Sequence, residues 1–189
     1  MISLSTTAPG ADRLANAAFI IVADSPAFHI ATEDLHALVF GPGRFARTAY
    51  RVRGRQGHER SLSFAAFADE RLIASVWQTY VHVGAMPAIL LGPLAVHPDF
   101  AGKGYGQALL ASALTSARTT PAEAVMLIGD APYYARAGFR PLGHQRIGWP
   151  GPVDPARVLA VELVSGAVDR LAGPIRVALL PPGDEAPDH

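Results

Sequence analysis

The sequence predicts a single α+β domain built on a mixed sheet that is antiparallel at its start and carries one βαβ unit. Apolar residues recur along residues 61–96 in the pattern of strands joined by short turns. Residues 103–118 have the spacing of an amphipathic helix, with Leu110 and Leu114 on one face. The unbroken apolar run 124–128 indicates a strand buried on both faces, as in a parallel sheet. A strand, a helix and a second buried strand in this order form a βαβ unit.

The part of the chain before this sheet predicts one strand and two helical segments. Residues 19–22 form a short apolar run that suits a first strand. Residues 25–40 have helical spacing, with a start expected at Thr32 and an end at Gly41-Pro42-Gly43. The arginine- and glycine-rich residues 44–60 predict a second helical segment and a loop.

Three strands then form a meander over residues 61–68, 72–83 and 86–96, with a turn at Asp69-Glu70 between the first two. Gly92-Pro93 stands in the middle of the third strand. Because proline cannot donate a ladder hydrogen bond, this dipeptide predicts a bulge or an open edge.

The segment after the βαβ unit predicts a short helix and two more strands. Asp130 is placed to cap a helix that includes Pro132 and ends at Gly138. Phe139 opens one strand, and residues 157–163 form another.

The length of 189 residues predicts one domain, and a composition that is 50% hydrophobic and 17% charged can fill its core. We expect a loose N-terminal arm over residues 1–17 and the main domain over residues 18–145. Residues 146–180 are expected to form a C-terminal extension that packs on the domain. Residues 181–189, rich in proline and acid, predict a mobile tail.

Composition argues against several classes of protein. The 16 basic residues match the 16 acidic ones, whereas a nucleic-acid binder usually has a basic excess. The chain has no cysteine, and its seven histidines do not cluster at ligand spacing, so we expect no metal. Apolar runs are shorter than the roughly 18 residues that span a bilayer, and the N-terminus lacks the pattern of a signal peptide. These features predict a cytoplasmic protein that binds neither membrane nor nucleic acid.

A glycine-rich loop between a predicted strand and a predicted helix is the most informative feature. Gly102, Gly104 and Gly106 let the backbone approach a ligand closely. The first N–H groups of the following helix lack partners within it, and the helix dipole adds partial positive charge. The loop therefore suits a phosphate or pyrophosphate, although such a loop can also serve only to turn a strand into a helix.

The two common nucleotide-binding motifs do not fit this loop. A phosphate-binding Walker A loop needs glycine where His97 stands, and serine or threonine where Gly104 stands. The dinucleotide fingerprint needs a third glycine where Gln107 stands.

Two motifs instead carry a resemblance to a known family. The stretch LAVHPDFAGKGYGQALL, residues 94–110, resembles the acetyl-CoA signature of the GNAT N-acetyltransferase superfamily, although Ala101 stands where Gln or Arg is usual. Residues 125–139 resemble the family segment that ends in Tyr-x-x-x-Gly-Phe, at the correct distance from the first motif. The chain looks closest to a bacterial subgroup of small, mostly uncharacterised predicted N-acetyltransferases.

The resemblance implies the GNAT acyl-CoA N-acyltransferase fold, in which strand 86–96 splays from its parallel neighbour. The pantetheine arm of acetyl-CoA then lies in the gap and pairs with exposed backbone. The residues that this implies for binding acetyl-CoA are Leu94, Ala95, Val96, Gly102, Lys103, Gly104, Tyr105, Gly106, Gln107, Tyr133 and Arg136.

Tyr134 matches the family tyrosine that protonates the departing thiolate. A phenol, with a pKa of about 10, can donate to a thiolate, whose acid has a pKa of about 8.5. A core aromatic is the alternative interpretation, with Tyr133 as the reserve candidate. No carboxylate stands on residues 91–94, so the proton acceptor is either water or His97.

The resemblance implies an N-acetyltransferase that moves an acetyl group from acetyl-CoA to a primary amine, on a small molecule or peptide, by direct transfer. The alternatives are an acyl-CoA-binding sensor or structural protein without activity, and an acyltransferase that uses a hydroxyl acceptor or another acyl group. A homodimer is possible by analogy.

The specificity for the acceptor is expected to lie in residues 40–60 and on strand 72–83. The arginines of the first segment suit either an anionic substrate or a solvated helix face, and the candidates on the strand are aromatic. The residues concerned are Arg44, Arg47, Arg51, Arg53, Trp77, Tyr80 and His82.

Overall fold

A mixed sheet of nine strands forms the centre of the protein in a computed structural model that describes residues 19–54, 57–143 and 147–178. The predicted N-terminal arm, residues 1–17, and the predicted tail, residues 181–189, lie outside the described residues. The strands are β1 (Phe19–Ala23), β2 (Phe64–Ala68), β3 (Arg71–Val83), β4 (Met86–Val96), β5 (Ala124–Ile128), β6 (Arg140–Pro141), β7 (Ile147–Gly148), β8 (Val158–Glu162) and β9 (Gly173–Val177). The helices are α1 (His29–Phe40), α2 (Thr48–Arg53), α3 (Tyr105–Ala117), α4 (Ala131–Tyr134) and α5 (Ala167–Arg170).

The strand order confirms the predicted α+β class. The main path runs β1-β2-β3-β4-β5-β8-β6, and all its neighbours are antiparallel except β4 and β5. The parallel pair β4 and β5 is connected through α3, which is the predicted βαβ unit. The meander of β2, β3 and β4 is also as predicted.

The parallel strands β4 and β5 stay together for only three residues. Their pairing covers Ala88 to Leu90 of β4, after which β4 continues beside β3 and β5 continues beside β8. The register of β4 on β3 shifts between Val76 and Gln78, opposite Gly92-Pro93, as the mid-strand proline predicted. A gap therefore opens between β4 and β5 beyond Leu90.

Main-chain groups of the last part of β4 face this gap. The N–H of His97 donates to the carbonyl of Ile73 on β3 at 2.8 Å. Because main-chain groups alternate in direction along a strand, those of Leu94 and Val96 point to the opposite edge, away from β3.

Hydrophobic cores cover both faces of the sheet, which explains the unbroken apolar sequence of β5. On one face, α3 packs Leu109 and Leu110 against the strands, and both side chains are fully buried. On the other face, Val52 of α2 and Val168 of α5 pack over Leu90 and the inner strands.

Residues assigned to a C-terminal extension supply strands to the main sheet. β8 is hydrogen-bonded to both β5 and β6, next to the end of the gap. β9 pairs with Val81–Val83 of β3 and also with β7.

Two predicted element boundaries were wrong because local capping differs from the pattern. α1 begins at His29 and not at Thr32, since a short 3₁₀ turn capped by Ser25 leads directly into it. A second 3₁₀ turn, capped by Glu59, delays β2 until Phe64.

The prediction for Asp130 was wrong about its side chain. Asp130 stands at the N-cap of α4 but makes no capping hydrogen bond, and its carboxylate pairs with Arg157 at 3.1 Å instead.

One buried polar side chain ties the sheet to α3. Gln78 of β3 is fully buried, and its amide Nε2 donates to the carbonyls of Leu62, at 2.6 Å, and Ala113, at 2.9 Å. The amide thereby satisfies these two buried carbonyl oxygens. An apolar residue in place of Gln78 would leave them with fewer hydrogen-bond partners.

We predict that Gln78→Glu destabilises the fold more than Gln78→Met does. Methionine removes the hydrogen bonds of the amide and is expected to lower the free energy of unfolding by roughly 1–3 kcal/mol. Glutamate also places an acceptor, and at higher pH a charge, against two carbonyl oxygens, so its penalty should grow as the pH rises. Urea unfolding at pH 6 and pH 8 measures both variants, and equal stability of the two at pH 8 would contradict the role given to Gln78.

Candidate active site

The glycine-rich loop delivers the chain directly into α3. Residues 98–100 form a 3₁₀ turn, and α3 then begins at Tyr105 with Gly104 as its N-cap. Gly104 has a φ of 90°, a left-handed conformation that glycine adopts without strain. The first N–H groups of a 13-residue helix therefore face outward at the end of β4.

The predicted acetyl-CoA residues of this loop differ in what they can offer. Tyr105 is only 7% exposed and packs against Phe19 and Phe100, so only its main chain is available to a ligand. Lys103 is exposed and donates from Nζ to the carbonyl of Asp99 at 3.1 Å. Gln107 donates from its side chain to the main-chain oxygen of Tyr133 at 3.1 Å.

The remaining predicted acetyl-CoA residues lie on β4, in the loop, on α3 and after α4. Ala95 is fully buried, whereas Leu94 and Val96 are half-buried beside the gap. Gly102 and Arg136 are exposed, and Gly106 is buried in the first turn of α3.

A cavity of about 650 Å³ lies where β4 and β5 separate, and we call it the gap cavity. Its walls come from the free part of β4, the end of β5, α2 and α4. The residues are Tyr50, Arg53, Leu91, Gly92, Pro93, Leu94, Ile128, Gly129, Asp130, Tyr133 and Tyr134, with others from residues 40–49 and 152–157.

Two adjacent tyrosines contribute to the gap cavity in different ways. The ring of Tyr134 lies so close to Gly129 that a Cβ there would overlap it, and it also packs against Phe139. Burial raises the pKa of Tyr134 above its usual value, with Tyr133 and Asp130 adding to the effect, so the hydroxyl is protonated at neutral pH. Tyr133 is 39% exposed, and its hydroxyl lies against Gly106 at the start of α3.

His97 lies outside the gap cavity. Its Nδ1 accepts from the N–H of Asp99 at 3.2 Å, and its Nε2 contacts the guanidinium of Arg71 at 2.7 Å. These contacts are those of a residue that stabilises a loop, so of the two predicted proton acceptors the geometry favours water.

A second cavity, of about 480 Å³, lies over β3 beside α1 and α2, and we call it the arginine cavity. It shares Tyr50 and Arg53 with the gap cavity. Its other walls include His29, Glu33, Gly57, His58, Arg60 and Trp77.

The structure separates the four arginines that the sequence could not distinguish. Arg51 is exposed and lines neither cavity, as on a solvated face, whereas Arg47 is exposed at the wall of the gap cavity. Arg44 is half-buried in an ion pair with Glu33 at 3.1 Å. Arg53 is only 4% exposed and lies on the wall of both cavities.

The aromatic candidates on β3 also fall in different places. Trp77 is buried on the wall of the arginine cavity. Tyr80 packs with the core on the α3 side, and His82 pairs with Arg176 of β9. Neither Tyr80 nor His82 lines one of the two cavities.

Sequence reasoning missed a polar network around Trp77. His58 stacks flat on the indole at 4.0 Å and contacts the carboxylate of Asp24 at 2.8 Å. His36 meets the same indole edge-on, and its Nε2 lies 2.9 Å from the hydroxyl of Ser75. His36 and Ser75 stand 39 positions apart in the chain and His58 and Asp24 stand 34 apart, so no local pattern relates them.

Tyr50 was missed too, although a signal existed. It stands three residues before Arg53 on α2, a spacing that places both side chains on one helix face.

Burial lowers the pKa of His36 to about 3, with the positive charges of Arg53 and Arg44 adding to the effect. His36 is therefore neutral in the folded protein at any pH near 7. The pKa of His58 is also lowered, chiefly by burial and against the opposing influence of Asp24.

Within the described ranges, the side chains include no cluster of three histidines or acids that would bind a metal ion. No helix in this part of the chain is long and apolar enough to cross a membrane.

Residues 59–141, from before β2 to the end of β6, match the family described as Acetyltransferase (GNAT) domain. The two motifs around α3 and α4 lie within this segment. The chain therefore contains a segment similar to the GNAT acetyltransferase domain, as the two motifs predicted.

A curated relative is the uncharacterized N-acetyltransferase YjhQ of Escherichia coli (strain K12), which is 36% identical over 63 residues. That match covers 33% of this chain and 34% of YjhQ, so the chain spans about a third of the length of that relative.

Two solved structures share the fold. The GNAT family N-acetyltransferase YhbS of Escherichia coli, in complex with CoA, has a TM-score of 0.71 and 22% identity over 92% of this chain and 94% of that chain. A GNAT family acetyltransferase of Brucella melitensis, in complex with acetyl-CoA, has a TM-score of 0.57 and 22% identity over 78% of this chain and 97% of that chain.

We predict that His36 makes the fold acid-sensitive. An unfolded histidine takes up a proton below about pH 6.5, whereas folded His36 does so only near pH 3. Its contribution to stability is therefore complete above pH 6.5 and is lost as the pH falls towards 3, with a loss of about 2 kcal/mol by pH 5.

Urea unfolding of the wild type and His36→Gln between pH 7.5 and pH 5 measures this effect. The glutamine cannot titrate, so its unfolding free energy should decline less with falling pH, even if the variant is less stable at pH 7.5. The same decline in both proteins would show that His36 is not the responsible group.

Proposed function

We propose that the protein transfers an acetyl group from acetyl-CoA to a primary amine, with the thioester lying in the gap cavity. The observation that supports this most strongly is the separation of β4 from β5 beyond Leu90, next to Tyr134. The opened strand has free main-chain groups at Leu94 and Val96, which an extended pantetheine arm can pair with.

The loop before α3 is proposed to hold the pyrophosphate. Its glycines leave room for phosphate oxygens, and the N-terminal N–H groups of α3 supply hydrogen-bond donors. The dipole of the helix adds partial positive charge at this end, which favours an anion. The two structural relatives described above bind CoA or acetyl-CoA, which further supports this choice of co-substrate.

Acetyl transfer would proceed in one step within a ternary complex. The amine nitrogen forms a bond to the thioester carbonyl carbon, the carbon–sulfur bond breaks, and the thiolate takes a proton from the hydroxyl of Tyr134. Main-chain N–H groups near Leu94 polarise the carbonyl. The amine releases its proton to water, since β4 carries no carboxylate and the two acids on the other walls of the gap cavity already have partners. Asp130 pairs with Arg157 at 3.1 Å, and Asp154 accepts from the N–H of Ala156 at 3.0 Å.

Burial prepares Tyr134 for this role. Because its pKa is raised, the hydroxyl keeps its proton at neutral pH until the thiolate forms next to it. In water the thiolate is the weaker base of the two, but in a site from which water is largely removed its charge is also penalised, and this raises its affinity for the proton. A cytoplasmic location and a homodimer remain predictions from the sequence.

We predict that Gly104→Asp weakens binding of acetyl-CoA and that Gly104→Asn does so much less. Both side chains tolerate the left-handed conformation of this N-cap and both can cap α3. Only aspartate places a negative charge beside the pyrophosphate, at a cost of roughly 1–4 kcal/mol for charges about 4 Å apart, which is about fivefold or more in Kd.

Calorimetry with acetyl-CoA at two salt concentrations compares the variants. The difference between aspartate and asparagine should shrink at high salt because the repulsion is screened. Equal affinities of Gly104→Asp and Gly104→Asn for acetyl-CoA at low salt would show that the pyrophosphate does not bind at this loop. A folded wild type that binds no acetyl-CoA would refute the proposed function.

We predict that Tyr134→Phe lowers kcat about 100-fold or more while acetyl-CoA still binds, because only the proton donor is lost. Tyr133→Phe is the matched comparison, and its hydroxyl lies against Gly106. It should change KM for acetyl-CoA and leave kcat nearly unaffected.

Release of CoA, followed with a thiol reagent in the presence of an amine panel, gives both constants. A larger loss of kcat in Tyr133→Phe than in Tyr134→Phe would mean that Tyr133, and not Tyr134, is the proton donor. Tight binding of acetyl-CoA without turnover on any amine would favour the non-catalytic, acyl-CoA-binding alternative.

A further inference from the structure

The guanidinium of Arg53 is a buried charge without a carboxylate partner. Arg53 is 4% exposed, and burial lowers its pKa to about 10, which leaves it protonated at neutral pH. Its Nη2 donates to the main-chain oxygen of Gly92 at the gap. Among the described residues, no acidic side chain forms an ion pair with Arg53, and its Nε lacks any hydrogen-bond partner. Such a charge normally needs a partner, because burial without one is costly.

Other buried groups on the same wall also lack partners. The indole N–H of Trp77 and the hydroxyl of Tyr50 are buried without a hydrogen bond among the described residues. The guanidinium carbon of Arg53 lies 4.9 Å from the centre of the Tyr50 ring and 5.8 Å from that of Trp77. Guanidinium and indole can only donate, so the complementary ligand group is one that only accepts.

The acids around the arginine cavity are already paired. Glu33 binds Arg44 at 3.1 Å, and Asp24 contacts His58 at 2.8 Å and Arg60 at 3.0 Å. Of the arginine and acidic side chains that line this cavity, Arg53 alone lacks an ionic partner among the described residues, since Glu33 and Arg60 are both paired. The cavity therefore has room and charge for one anionic group.

We propose that the acceptor amine is a free amino acid, whose carboxylate binds Arg53 in the arginine cavity while its amine reaches the thioester in the gap cavity. Tyr50 and Arg53 line both cavities, and the proposal places the small molecule along these two side chains, with one end in each cavity. A carboxylate accepts on both oxygens and matches the guanidinium, the indole N–H and the tyrosine hydroxyl together. This inference rests on the proposed function and narrows its acceptor to small carboxylate-bearing amines, as distinct from peptide termini.

The test compares amino acids with their own carboxamides, which keep the amino group and the side chain but lack the charge. Because loss of the carboxylate lowers the pKa of the amine, each kcat/KM is expressed per neutral amine. A panel of standard amino acids, β-alanine and the matching amides is assayed for CoA release from acetyl-CoA. In the wild type, the best acid should exceed its amide at least tenfold in kcat/KM, since a hydrogen bond to a charged group is worth about that factor or more. An amide that equals or exceeds its acid would overturn the proposal.

Variants at Arg53 identify the responsible charge. Arg53→Met should reduce the ratio of acid to amide to near one, and Arg53→Lys should restore part of it. Arg51→Met is the matched control, since Arg51 belongs to the same helix but is exposed and lines neither cavity. It should keep the ratio of the wild type.

A structural role of Arg53 would produce a different result. If Arg53 only holds the carbonyl of Gly92, then Arg53→Met should lower activity on acids and amides by the same factor, and the unchanged ratio would overturn the proposal. Unaltered binding of acetyl-CoA by Arg53→Met shows that this variant is folded. If Arg53→Met does not fold, the comparison is made with Arg53→Lys instead.

Calorimetry on the CoA-saturated protein measures the same acids and amides without relying on turnover. Binding of an acid but not of its amide supports the proposal even if acetylation is slow. Failure of every acid to bind overturns it while leaving the acetyltransferase intact, provided that acetyl-CoA itself binds. If the wild type itself does not bind acetyl-CoA, the proposed function is refuted instead.

Discussion

The separation of β4 from β5 beyond Leu90 is the constraint on which the candidate site depends. If these parallel strands stayed paired to their ends, Leu94 and Val96 would direct their main-chain groups into a ladder and no gap cavity would exist. The fold compensates on both sides of the opening. β4 keeps β3 as its other neighbour, and β5 keeps β8, so neither strand loses support where they part.

The position of this opening was readable from the sequence, because it follows from local chemistry. Gly92-Pro93 interrupts the ladder where the register shifts, and the predicted helix 103–118 is observed as α3 over Tyr105–Ala117. Both features depend on a few neighbouring residues, whose backbone preferences act before any tertiary packing. The choice of Tyr134 came instead from the resemblance to the GNAT family, and the structure places this residue on the wall of the gap cavity.

The other half of the site was not readable, because tertiary packing decides it. Arg51 and Arg53 have the same chemistry and stand two positions apart on a six-residue helix, yet one is exposed and the other is buried. Which of them turns inward depends on how α2 packs over β4, and local sequence does not determine that packing. The contact of His36 with Ser75 joins residues 39 positions apart, with no pattern linking them.

Burial sets the charge state of the site in a way that bears on its acceptor. It keeps Tyr134 protonated and His36 neutral, whereas Arg53 stays positive beside the carbonyl of Gly92. A fixed positive charge that lines both cavities opposes the entry of an ammonium group and favours a neutral amine. In a free amino acid the neighbouring carboxylate raises the pKa of the amine, because a negative charge favours the ammonium form. A guanidinium that pairs with this carboxylate offsets part of that effect, so the same charge that binds the carboxylate also favours the neutral, nucleophilic form of the amine.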